Sequence, residues 1–101
     1  MLHDKYIPEI FKPFFWDVDI KTIDLEFNRI YVIERLLNHG DHRTLRWLFS
    51  IYSLGDIREA VCVGRNFSLK TARYWQHFFH LSEGEMRCFG IGGSLKIDDI
   101  D

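Results

Sequence analysis

Across residues 24–80 apolar side chains recur at helical spacing, and a capping residue stands before most of these runs, with a glycine or a turn after them. That punctuation commits the chain to several short helices packed on one another. Asp24 is placed to cap a helix running to about His39, in which Ile30, Ile33 and Leu37 recur on one face. Gly40 stands where a left-handed stop belongs, and Asp41 opens the next helix. There Leu45, Leu48, Phe49 and Tyr52 form one stripe, while Trp47 and Ile51 form a second. A helix apolar on two sides is either central or meets a partner. Leu54-Gly55-Asp56 reads as a break, followed by a short helix marked by Ile57, Ala60 and Val61 and ended by Gly64. Ser68 caps the last long helix, with Ala72, Trp75 and Phe79 facing inward and an end near His80.

The two ends differ from this middle. Both prolines fall at the start, so residues 7–16 are predicted to form a turn of helix opened by Pro8 and stopped before Pro13, packed on the core as an arm. Ser82-Glu83-Gly84-Glu85 has capping-box spacing and predicts one more helical turn near Met86. Gly90-Ile91-Gly92-Gly93 then leads into Asp98, Asp99 and Asp101, predicting a flexible acidic tail over residues 90–101 beside a single helical domain over residues 1–89. The expected fold is all-α, a small bundle of four to five helices with a helix-turn-helix-like C-terminal half.

With 101 residues there is room for one core, and an aromatic share of 16% supplies the large side chains that a small core needs. Cys62 and Cys88 are too few for a disulfide scaffold, and no stretch reads as a signal peptide or a membrane span. The expectation is a cytoplasmic protein with reduced thiols. The net charge of −2 hides an uneven distribution: residues 41–80 hold six basic and three acidic groups, whereas residues 81–101 hold two basic and five acidic ones. A local basic patch fits phosphate or an acidic protein surface, but the acidic remainder weakens the whole-molecule attraction on which nonspecific nucleic-acid binding depends.

Chemistry-bearing patterns are few. His39-Gly40-Asp41-His42 resembles a metal cluster, yet a helix end followed by a helix start accounts for it better. His77, His80 and Cys88 lack the spacing of a zinc site, and Asp17 with Asp19 lacks the Gly-Ser pair that accompanies nucleotidyltransferase carboxylates. They read as surface or capping carboxylates. The glycine run at 90–93 has no strand before it and no helix after it to receive a phosphate, and none of the serines has a histidine or lysine at a recognisable family spacing. No catalytic residue, metal ligand or cofactor is therefore expected. Ala60 and Gly64 resemble the first helix and turn of a helix-turn-helix, but the following apolar positions arrive about two residues late. Lys70, Arg73 and His77 share an outward stripe with Tyr74 beside them, a pattern suited to phosphates and base edges. A solvated helix face is the plainer reading of the same residues.

The segment Phe15-Trp16-Asp17-Val18-Asp19, with Val32-Ile33-Glu34-Arg35-Leu36-Leu37, Gly40-Asp41, Arg46-Trp47-Leu48-Phe49, and Leu69, Thr71, Ala72 and Trp75, resembles a family of small bacterial and archaeal proteins of unknown function that share a Phe-Trp-Asp-x-Asp start. The resemblance covers about residues 7–88. It implies an antitoxin-like role in a pair with a nucleotidyltransferase-like toxin, and it brings no catalytic residues with it. Two functions are thus expected. One is a non-catalytic interaction protein that restrains a protein partner through Trp47, Ile51, Tyr74 and Phe78, with Asp98, Asp99 and Asp101 offered to a basic cleft. The alternative is a DNA-binding transcriptional regulator that uses Lys70, Arg73, Tyr74 and His77.

Overall fold

A computed structural model describes residues 6–89, and these are all-helical, without a strand among them. Four α-helices, α1 (Arg29–His39), α2 (His42–Ile51), α3 (Leu54–Val63) and α4 (Leu69–Phe78), are joined by short connections. Three 3₁₀ helices accompany them, at Glu9–Phe15, Ile20–Thr22 and Glu83–Glu85. The expected all-α bundle is the fold observed. The expected acidic tail, including Asp98, Asp99 and Asp101, lies outside the described residues.

The central element is α1. It packs most extensively on α3 and also on α2 and the N-terminal 3₁₀ helix, while α4 leans on α3. Two adjacent i, i+4 pairs, Val32 with Leu36 and Ile33 with Leu37, are all buried, so α1 is covered over far more than one stripe. On α2 the fully buried residues are Thr44 and Leu48, and its second stripe is only partly covered, with the Trp47 ring 5.2 Å from Phe11 in an edge contact. The helix apolar on two sides in the sequence is therefore flanking, and the N-terminal arm takes up part of its second side.

Several boundaries depart from the sequence expectation for identifiable reasons. The first 3₁₀ helix runs through Pro13 to Phe15 instead of stopping, because Phe11 and Phe15 are both buried and hold the segment on the core. Each such burial contributes roughly 1.5–3 kcal/mol, more than the one backbone hydrogen bond a proline removes. Asp24 caps a preceding turn, its carboxylate accepting from the Glu26 and Phe27 amides at 2.9 Å, and α1 itself begins at Arg29. Leu54-Gly55-Asp56 is no break: Ser53 caps α3 and Asp56 returns the bond to the Ser53 amide, closing a capping box around the first turn. Gly40 is extended at φ −75°, so handedness does not require glycine there. Space does, since a Cβ would collide with the Thr44 hydroxyl and lie 2.6 Å from the Leu36 carbonyl oxygen.

The connection between α3 and α4, residues 64–68, is longer than an ordinary helix-turn-helix turn of three to four residues. It is pinned to α1. The buried Glu34 carboxylate accepts the Asn66 amide at 2.7 Å, and Asn38 donates to the Asn66 carbonyl at 2.8 Å while accepting the Ser68 amide at 3.1 Å. Phe67 is buried between these bonds, which explains why the apolar positions of α4 arrive late.

Candidate functional site

Ser68 accepts the Thr71 amide at 3.2 Å and starts α4 with its inward residues, Ala72 and Trp75, buried against the core. Lys70, Tyr74 and Phe78 follow one another at i, i+4 and i+8, so they form a single outward row. Tyr74 is 61% exposed and Phe78 46% exposed. Neither ring stands alone. Both meet Trp75 edge-on, at 4.9 and 5.0 Å between centroids, and Phe78 meets Phe79 at 4.9 Å and Phe49 of α2 at 6.4 Å. Edge contacts of this kind are worth about 0.5–1.5 kcal/mol each, and they hold the exposed rings in place.

Charge gives this face its sign. Within α4 the ionised residues are Lys70 and Arg73, both exposed, and there is no acid. Arg73 is tied down. Its guanidinium makes a 2.6 Å ion pair with Glu83, donates to Gln76 at 2.9 Å, and lies 4.4 Å from the centre of the Phe89 ring. Of the residues expected to meet DNA, Lys70, Tyr74 and His77 are exposed, whereas Arg73 is already engaged within the fold. Of those expected to meet protein, Tyr74 and Phe78 are open, and Trp47 and Ile51 are half-buried against the core.

The remaining candidates are occupied structurally. His39 ends α1, Asp41 caps α2 by accepting the Thr44 amide at 3.0 Å, and that bond holds its carboxyl below the usual carboxylate range. Asp19 accepts the Lys21 amide at 3.0 Å. Cys88 is fully buried, which pushes its thiol up to about 11, and burial also raises half-buried Cys62; both behave as small apolar side chains. The His77 and His80 rings lie 6.4 Å apart. Among the described residues no three His, Cys, Asp or Glu side chains come together as a metal site.

Sequence reasoning missed a second feature, the anchoring of Trp16. Asp17 accepts two hydrogen bonds from the Arg35 guanidinium, at 2.9 and 3.0 Å, and the same guanidinium reaches the Phe14 carbonyl and the Tyr31 hydroxyl. It lies 4.7 Å from the centre of the Trp16 ring, which also meets His39 edge-on at 5.3 Å. The Arg35 pair holds the Asp17 carboxyl below its usual range. Trp16 nevertheless stays 65% exposed, beside a shallow cleft of about 570 Å³ with Glu9, Lys12 and Lys21 at its rim. Asp17 and Arg35 are eighteen residues apart, and no local pattern connects them.

A model of a family of unknown function (DUF6922) matches residues 10–61, which is 52 of the 101 residues. The chain belongs to this family. The DUF6922 match takes in the Trp16–Asp17–Arg35 anchor, α1, α2 and α3 as far as Val61; Tyr74 and Phe78 lie beyond it. No curated protein and no solved structure matches the chain. Among the described residues no helix is long and apolar enough to cross a membrane.

Proposed function

We propose that this chain is a non-catalytic interaction protein, antitoxin-like in that it binds and restrains a protein partner such as a nucleotidyltransferase-like toxin. The observation that carries the reading is the exposed pair Tyr74 and Phe78, seated on buried Trp75 along a helix that bears cations and no acid. Held aromatic rings lose little conformational freedom on docking, and such residues dominate binding energy at interfaces. Trp47 and Ile51 offer a half-buried apolar stripe on α2, with Trp47 against Phe11 of the N-terminal arm, and Asp98, Asp99 and Asp101 supply anionic groups suited to a basic, nucleotide-handling cleft. The test is co-expression with the product of the adjacent gene, measuring both co-purification and rescue of growth. Tyr74→Glu and Phe78→Glu should abolish both while circular dichroism stays unchanged. Full rescue by the double variant rejects the reading.

The row of exposed cations on α4 favours one second reading, a DNA-binding regulator using Lys70, Arg73, Tyr74 and His77. The pairing of Arg73 with Glu83 weighs against it. Operator binding at low salt should weaken on Lys70→Ala and lose about one counterion from its salt slope. Absence of any shift of an upstream fragment by the unaltered protein removes this reading.

A further inference from the structure

The exposed row on α4 combines apolar and basic character, so the segment that fits it is apolar and acidic. The chain contains one. Residues 94–101 hold Leu95, Ile97 and Ile100 together with Asp98, Asp99 and Asp101, and with Lys96 included the charge is −2. We infer that this C-terminal segment docks in cis on the Lys70–Tyr74–Phe78 row of its own α4, so that a partner must displace it.

Three observations support this occupant over others. The first is where the described chain ends: Phe89 lies under the Arg73 guanidinium, one position along α4 from Tyr74. The second is reach. Leu95 is six residues beyond Phe89, a span of up to about 20 Å when extended, whereas ten helical residues cover only about 15 Å. Every position on the row is accessible. The third is charge complementarity at Lys70, the exposed cation of the row, whereas Arg73 is already paired with Glu83. Tethering so close raises the local concentration of the segment to roughly the millimolar range, where a weak contact is substantially occupied.

This inference rests on the proposed reading of the α4 row as a recognition surface and adds a displaceable occupant to it. Displacement then couples partner binding to release of the three carboxylates.

The test needs only the isolated protein. Backbone amide spectra of the full chain are compared at low salt with those of a chain ending at Phe89, and a synthetic peptide of residues 90–101 is added to the shorter one. Truncation should shift the signals of Lys70, Tyr74 and Phe78, and the peptide should move them back. The Asp98→Asn, Asp99→Asn, Asp101→Asn variant should lose most of the difference, as should high salt. Matching spectra for the full and shortened chains overturn the inference. So does a difference that fades on dilution, which would assign the docked segment to a second copy. Partner capture by the shortened chain is scored separately, so loss of tail docking with capture intact refutes only this inference. Docking with no partner capture refutes only the proposed function.

Discussion

His80 is the one non-glycine residue at positive φ among those described, at 56°. It ends α4 in a Schellman arrangement, with the Leu81 amide donating to the Gln76 carbonyl at 2.9 Å and the His80 amide to the His77 carbonyl at 3.2 Å. A side chain in this region costs roughly 1–2 kcal/mol, and glycine recovers it minus its larger unfolded-state entropy. His80→Gly should therefore stabilise the fold by about 0.5–1 kcal/mol, read as a melting temperature several degrees higher. A fall in melting temperature would mean that the His80 ring contributes more than its backbone costs. Asp17 gives a pH-dependent counterpart. Because its folded pKa is depressed, its contribution is complete above the ordinary carboxylate range and is lost as pH falls through the folded value. Tryptophan fluorescence should show a transition below about pH 4 as the Asp17–Arg35 pair is lost. Asp17→Asn should remove the part of that transition due to this pair, and an unchanged profile would show that other carboxylates hold the arm.

Two glycines at element ends separate space from propensity. At Gly40 a Cβ meets the Thr44 side chain and the Leu36 carbonyl, whereas at Gly55, in the first turn of α3, it meets only the Ser53 hydroxyl oxygen at 3.6 Å. Gly40→Ala should cost about 1–3 kcal/mol because two packed helix ends must shift. Gly55→Ala should stabilise by up to about 1 kcal/mol, since α3 gains a better helix former without a clash. Urea melts of the two variants check the pair, and similar shifts for both would refute the steric account of Gly40. The turn between α3 and α4 depends on α1 in the same concrete way. Glu34 and Asn38 take the place of the short, tight turn that a helix-turn-helix would use, which sets the position of α4 relative to the core.

For the molecule as a whole, stability and recognition meet at Trp75. Its inner side belongs to the core shared by all four helices, and its edges support Tyr74 and Phe78. Trp75→Ala should cost roughly 3–5 kcal/mol, as should Leu48→Ala at the lower end of that range, through lost burial and the cavity left behind. Tyr74→Glu sits on an exposed face and should cost no more than about 1.5 kcal/mol, the worth of its edge contact with Trp75. Thermal melts of the three variants test this division. A large loss for Tyr74→Glu would make the ring part of the core and disqualify it as a recognition residue.

The sequence by itself determined the all-helical class, the caps at Asp41 and Ser68, the helix end before Gly40, and the burial of Leu48, Ala72 and Trp75. Each of these rests on bonds or spacings of about one or two helical turns, and such short-range order is written directly into residue order. Tertiary structure alone decided which helix became central, which of two apolar stripes stayed open, and how the arm and the α3–α4 turn were fastened. Those choices depend on partners far apart in the chain: Asp17 and Arg35 are separated by 18 residues, Asn38 and Asn66 by 28, and Glu34 and Asn66 by 32. No periodicity announces such pairs, because they exist only once burial of the core has brought the helices into contact.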